Sequence, residues 1–193
     1  MCIRDRDYAI FVVIREEFNM LPWWQWPKEF KNKNNKFLKS WLKKKTKEIL
    51  IKKLIQWHLD EQWKLIRGFA KSKHVKLIGD LPFYVSRDSA DVWSNKSLFS
   101  IFKNGELIFQ SGVPPDYFSS TGQLWGTPTY YWSKHKRSNF DWWKKRFKRQ
   151  FELVDLLRFD HFRGLAGYWR VNGNSKSAIY GKWINSPGKT LLQ

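Results

Sequence analysis

Apolar positions along this chain follow two different periods, and the changes of period mark its elements. Residues 8–18, Tyr-Ala-Ile-Phe-Val-Val-Ile-Arg-Glu-Glu-Phe, are apolar at too many positions for a surface helix and predict a short buried one. Residues 21–27, Leu-Pro-Trp-Trp-Gln-Trp-Pro, carry a proline near each end and predict a rigid loop. The polar run 28–35 reads as exposed. Over residues 36–72 the i, i+3 and i, i+4 spacings return. Phe37, Trp41, Ile49, Leu50, Leu54 and Trp57, then Trp63, Ile66 and Phe69, predict one or two helices with an apolar stripe. Lys43 to Lys45 and Lys52-Lys53 would form the solvated face.

Two short runs, residues 74–80 and 154–160, predict buried strands, and each ends in an aspartate. Between them, residues 86–139 are rich in Gly and Pro with interleaved aromatics and show no clear period. A stretch that long without periodicity is functional or a linker, and its aromatic content argues against a linker. Residues 140–151 predict a short amphipathic helix with Trp143, Phe147 and Phe151 at spacing four. Strands alternating with helices predict an α/β fold with a parallel sheet. In an α/β barrel the chemistry sits at the carboxyl ends of the strands, where both aspartates lie.

Composition narrows the class. Apolar residues make up 42% of the 193 and charged residues 27%, a globular balance. No run approaches the roughly 18 apolar residues of a membrane span, and the first residues lack the core of a signal peptide. The single cysteine, Cys2, cannot form an internal disulfide, so a reducing cytoplasm is the expected compartment. The net charge of +19 and the 13 tryptophans admit nucleic-acid binding or sugar stacking. Most of the excess is lysine, accompanied by many Asn and Ile, as an AT-rich genome would produce. Charge by itself bears on solubility and non-specific association, so no specific nucleic-acid partner is expected.

Chemistry concentrates at the strand ends. On a strand, Arg158 and Asp160 face the same way. Two charges on the inward face of an apolar strand are costly unless paired. They are either a structural ion pair or a carboxylate kept ionised by a guanidinium, poised as a nucleophile. Asp80 is a loop or cap residue unless its strand neighbours the second, in which case it can hold Arg158. Asp88 and Asp91 suit capping or turns. His161 is a proton-transfer group or a substrate donor. Tyr117, Phe118 and Trp125 lie in a loop shaped by Gly and Pro, either packed beneath it or exposed to stack on sugars, with Asp116 and Gln123 available to sugar hydroxyls. Neither metal-ligand spacing nor a Gly-rich phosphate loop is present.

Five stretches go further. Gly79-Asp-Leu-Pro-Phe-Tyr-Val85 with Asp88-Ser-Ala-Asp-Val-Trp93, Gly112-Val-Pro-Pro-Asp-Tyr-Phe118, Thr121-Gly-Gln-Leu-Trp-Gly126 and Arg158-Phe-Asp-His-Phe-Arg-Gly164 closely resemble the 4-α-glucanotransferases, the amylomaltases of glycoside hydrolase family 77. Tyr8-Ala-Ile-Phe11 and Trp23-Trp-Gln-Trp-Pro27 resemble the helical region that precedes them. The resemblance implies part of a (β/α)8 barrel truncated at both ends, since a whole one needs about 250 residues. It implies a helical insertion over about 20–72 and an aromatic substrate loop over about 105–135. Residues 1–6 resemble nothing in the family and read as a non-native leader.

By the same resemblance, Asp160 is the nucleophile, Arg158 sits beside it, and Asp80 supports the arginine and the donor sugar. His161 shapes the acceptor side, and Tyr117, Phe118 and Trp125 lie over the cleft. The implied activity is transfer of α-1,4-glucan segments between maltodextrins, without cofactor or metal. The family's acid/base glutamate and a later aspartate match nothing in these 193 residues, so the chain alone is expected to be inactive. The rivals are an amylase-class hydrolase, a glucan-binding remnant and a basic nucleic-acid-binding protein.

Overall fold

The apolar run near the N-terminus forms helix α1 (Ile3–Glu17), and Ala9, Ile10, Phe11, Val13 and Ile14 are all buried in it. The computed structural model describes residues 3–33 and 35–193. Cys2 and the first two positions of the expected leader lie outside the described residues, as does Asn34 in the polar run.

The loop and the polar run that follow each send aromatic side chains into the core. The proline-bounded loop makes a single 3-10 turn, Trp23–Gln25, that drops Trp23 and Trp26 into the interior. Their indole N–H groups donate to the carbonyls of Arg87 (2.7 Å) and Leu21 (2.9 Å). A buried indole with a satisfied N–H is stable in the core. The polar run folds as α2 (Lys28–Lys31), whose one large apolar residue, Phe30, is buried.

Helices α3 (Asn35–Lys44) and α4 (Thr46–Ser72) follow. The expected apolar stripe is only partly used. Trp41 and Ile49 are buried, but Leu54, Trp57, Ile66 and Phe69 face solvent. The periodicity found the helix, while the partner for its apolar face is missing among the described residues.

Strand β1 (Ile78–Pro82) is followed by the short helix α5 (Ala90–Ser94), capped by the Ser89 hydroxyl, which accepts from the Val92 N–H. Neither nearby aspartate caps it. Asp88 pairs with Arg15 at 3.0 Å and accepts the Trp23 N–H, and Asp91 accepts the Trp142 indole N–H at 3.1 Å.

The segment read as loop contains two strands, β2 (Phe109–Val113) and β3 (Gln123–Pro128). Helices α6 (Trp132–Arg137) and α7 (Asp141–Leu153) lead into β4 (Leu156–Asp160). Strands β5 (Gly167–Asn172) and β6 (Gly181–Asn185) and helix α8 (Gly188–Leu192) complete the chain.

The sheets correct the expected architecture. β1 and β4 form a two-stranded parallel pair, with Asp80 opposite Arg158 and Pro82 opposite Asp160. The other four strands form an antiparallel sheet in the order β3-β2-β5-β6. The fold is α/β with one parallel pair, but the other four described strands are antiparallel, where a parallel sheet was expected; the described strands form no closed barrel, and only an incomplete one was expected. β2 escaped the periodicity because its buried residues are polar. The Gln110 amide donates to the carbonyls of Asn172, Gly173 and Ser175, and Ser111 shares a hydroxyl hydrogen bond with Thr127. Polar groups satisfied in this way are buried at little cost, and an alternation of apolar and polar residues does not reveal them.

Candidate active site

The paired strands set the site. Alternation turns Leu81 into the core and leaves Ile78 and Asp80 on the opposite face of β1. On β4, Phe159 stacks on Phe147 of α7, with ring centroids 5.6 Å apart, while Arg158 and Asp160 face outward. Among the described residues, no apolar wall covers this charged face.

Arg158 binds Asp80 through two parallel hydrogen bonds, Nε to Oδ1 at 3.2 Å and Nη2 to Oδ2 at 2.6 Å. The same Nη2 lies 3.6 Å from Oδ1 of Asp160. One guanidinium therefore bridges two carboxylates on neighbouring strands. Its hydrogen bonds hold the Asp80 carboxyl below the usual carboxylate range, and Asp80 in turn raises Arg158.

The end of β1 is held from the core side. Arg146 of α7 is buried against the faces of Trp142 and Trp143 and donates to the carbonyls of Phe83 (3.1 Å) and Pro82 (2.5 Å). The Tyr130 hydroxyl donates to the same Phe83 carbonyl at 2.5 Å. The Phe83 N–H donates to the Asp160 carbonyl at 3.2 Å. Sequence reading singled out neither Tyr130 nor Arg146. Arg146 sits in a run of lysines and arginines, and its only distinguishing signal is spacing, three and four residues after adjacent tryptophans.

His161 follows Asp160 in a left-handed conformation (φ 53°). That turn carries its ring back over the aromatic core, with ring centroids 4.9 Å from Trp125, 5.8 Å from Tyr84 and 6.0 Å from Phe83. Burial lowers its pKa, and its Nε2 is buried without a protein partner. Tyr84, also missed in the sequence, is buried with its hydroxyl unpartnered, and burial drives its pKa far upward. Gly164 is required here, because a Cβ on it would lie 2.8 Å from the Phe83 ring and 2.9 Å from His161.

The loop between β2 and β3 presents Tyr117 and Phe118 almost fully to solvent, 97% and 91% exposed, with their rings 5.5 Å apart edge to face. Of the two alternatives, exposure rather than packing is what the structure has. Asp116 and Gln123 are exposed, and each already uses one oxygen within the loop. Asp116 Oδ1 accepts the N–H groups of Phe118 (2.9 Å) and Ser119 (2.8 Å), and Gln123 Oε1 accepts the Trp125 indole N–H at 3.2 Å. Thus Asp80, Arg158 and Asp160 form one charged group, and His161 and Trp125 pack together beside it. Tyr117 and Phe118 touch each other at the loop tip.

Among the described residues, no cluster of three His, Cys, Asp or Glu suits a metal ion, and no helix is long and apolar enough to cross a membrane.

With this geometry in hand, the comparisons are specific. A family model described as 4-alpha-glucanotransferase, glycoside hydrolase family 77, matches residues 5–193. The chain belongs to this family. It is 43% identical over 188 residues to a 4-alpha-glucanotransferase of Synechocystis, covering 97% of this chain and 37% of that protein. It is 40% identical to one of Aquifex aeolicus, covering 97% of this chain and 39% of that protein. Its fold matches an amylomaltase of Streptococcus agalactiae solved with acarbose, with a TM-score of 0.93 at 35% identity, over 97% of this chain and 38% of the other. The chain thus spans about two fifths of the 4-alpha-glucanotransferases it matches. The antiparallel sheet and the β1–β4 pair belong to this region of the family's fold.

Proposed function

We propose that this chain is the nucleophile-bearing part of an enzyme that transfers α-1,4-glucan segments between maltodextrins by a retaining double displacement. The observation that carries the proposal is the Arg158 guanidinium bridging Asp80, in the middle of β1, and Asp160, at the end of the neighbouring parallel strand β4. In the first step an Asp160 carboxylate oxygen attacks the anomeric carbon. The glycosidic C–O bond breaks, and an acid/base carboxyl, about 5 Å from the nucleophile in retaining enzymes, protonates the leaving oxygen. A glycosyl ester remains on Asp160. In the second step an acceptor sugar hydroxyl attacks the same carbon, releases Asp160 and gives its proton to the acid/base. Arg158 keeps an opposite charge beside the nucleophile, and Asp80 fixes the position of that charge.

In this reading His161 and Trp125 wall the acceptor side, and a packed aromatic wall favours sugar over water by excluding solvent. Tyr117 and Phe118, exposed at the tip of the 105–135 segment, supply ring faces for sugar stacking. The helices over 20–72 are an insertion in the barrel. The compartment is the cytoplasm, and the partners are α-1,4-glucans. No residue of this chain stands in the acid/base motif, so the 193 residues alone are expected not to catalyse transfer.

The test is maltotriose disproportionation by the complete enzyme. Asp160→Asn keeps shape and removes the nucleophile, and is expected to lower transfer at least about 10³-fold. Transfer near the wild-type rate, or transfer by the purified 193-residue chain, would overturn the assignment.

A further inference from the structure

A second cavity, of about 540 Å³, opens between α5, the turn that follows it, the loop at 101–103 and the start of α6. None of the candidate active-site residues lines it. Its lining includes four lysines, Lys33, Lys96, Lys103 and Lys134, and no Asp or Glu. Lys33 is held 4.5 Å above the Trp93 ring with Asp7 3.6 Å away. Among the described residues, no carboxylate lies within ion-pair distance of Lys96, Lys103 or Lys134.

Lys96 is the informative one. It is half-buried, its ammonium donates to the Lys31 carbonyl, and it lies 4.7 Å above the Trp23 ring. An ammonium has three donors and gains most from a full negative charge. A carbonyl and an indole face leave donor capacity unused and positive charge uncompensated. Burial, with the charges of Lys31 and Lys33, pushes its pKa down to about 8, so the site disfavours its own cation and an anion would relieve that. The lining also includes neutral hydrogen-bonding groups, Ser97 and Asn32 among them, and ring-bearing side chains, Phe102 and Tyr131 among them.

We propose that this cavity binds a phosphoryl group, carried either by free inorganic phosphate or by a small phosphorylated sugar. A dianion of tetrahedral oxygens matches a lining that carries four lysines and no carboxylate, and the cavity is a local opening between short turns rather than the drawn-out track an extended polyanion would need. The rings and neutral polar groups give a sugar a place beside the phosphate. The site is separate from the glucan chemistry proposed above and stands or falls independently of it.

The experiment is calorimetric titration of the 193-residue chain with inorganic phosphate, glucose 6-phosphate and glucose, at about 0.15 M salt to screen diffuse attraction. Saturable binding of phosphate or of glucose 6-phosphate, with none for glucose, is expected. Tighter binding of glucose 6-phosphate assigns the site to a sugar ester, and equal or tighter binding of phosphate assigns it to the free anion. Lys103→Gln with Lys134→Gln, both exposed, is expected to weaken binding at least about tenfold, as is Lys96→Gln. The control is Lys144→Gln with Lys148→Gln, on the outer face of α7, which removes the same charge and is expected to change affinity less than about twofold. If the control weakens binding as much as the cavity pair, if glucose binds equally well, or if neither phosphate probe saturates below about 10 mM, the proposal is overturned.

Discussion

His135 makes the stability of this chain depend on pH in a window separate from that of its carboxylates. The imidazole is fully buried in α6 among the rings of Tyr130, Trp132 and Trp142, with its Nε2–H donating to the Leu98 carbonyl at 3.2 Å. Burial pushes its pKa down from 6.5 to about 4, outweighing the small opposing effect of the Leu98 hydrogen bond. Unfolded, the same ring takes up a proton near pH 6.5. Between those values the unfolded chain holds a proton that the folded chain refuses, so acidification favours unfolding. At 1.36 kcal/mol per pH unit, the loss from above pH 6.5 down to pH 4 is about 3 kcal/mol, and it levels off below. Asp60, Asp80 and Asp155 act in the same direction but lower. Their hydrogen bonds, from Arg149, Arg158 and the Leu77 N–H respectively, depress their pKa values, so their contribution is lost only as pH falls below about 4. The assay is urea unfolding at intervals from pH 7 to pH 4 on the wild type and His135→Gln, which keeps a donor but cannot titrate. With a slope of about 2 kcal/mol per molar urea, the wild-type midpoint is expected to fall by about 1.5 M more than that of the variant. His161, also lowered by burial, remains in both proteins and cancels from the comparison. Parallel curves for the two proteins between pH 6.5 and pH 4 would refute the argument.

Other substitutions test the supports of the site. Tyr130→Phe removes one hydrogen bond to the Phe83 carbonyl, but Arg146 still satisfies that oxygen, so the expected cost is only about 1 kcal/mol by chemical denaturation. Arg146→Met strips two carbonyls at the end of β1 of a charged donor and is expected to cost about 3 kcal/mol. The double variant leaves the Phe83 carbonyl with neither donor and should cost more than the sum, and strict additivity would show that the shared carbonyl does not couple them. Gly164→Ala places a methyl against Phe83 and His161, and an expected loss of about 1–3 kcal/mol should come with a shifted His161 resonance. Gly122→Ala combines φ 68° with a Cβ 2.4 Å from the Val113 carbonyl, and a loss of at least about 2 kcal/mol is expected; an unchanged melting midpoint would contradict the strain.

How much of this was readable in the sequence depends on where each group finds its partner. β1 and β4 were visible as short apolar runs carrying an aspartate, although β1 runs from Ile78 to Pro82 rather than over 74–80 and has Asp80 at its middle, and their adjacency was the stated condition for Asp80 to hold Arg158. α7 was visible by its spacing: Trp143 and Phe147 of the expected stripe pack on the core, while Phe151 is exposed and Trp142 and Arg146 are buried in addition. The four-stranded sheet was not visible. Its central strand buries Gln110 and Ser111, whose partners lie on β3, on β5 and in the residues just after β5. The apolar face of α4 misled in the opposite sense, since periodicity records that a face is apolar and not what covers it.

The clamp at Phe83 shows why the remaining part of the site is a tertiary property. Asp80 and Asp160 lie on an exposed face, where their ion pairs with Arg158 contribute little to holding the strands together. The strands are held instead from behind. Arg146 and Tyr130 fix the carbonyls at the end of β1, and the Phe83 N–H fixes the Asp160 carbonyl. A buried arginine on α7 and a tyrosine ahead of α6 therefore set where the candidate nucleophile stands relative to its arginine. Nothing in the immediate sequence of Asp160 encodes that position. It arises where helix α7 packs Trp143 against Phe159 of β4, and Trp142 and Trp143 together provide the ring faces that allow a guanidinium to be buried there.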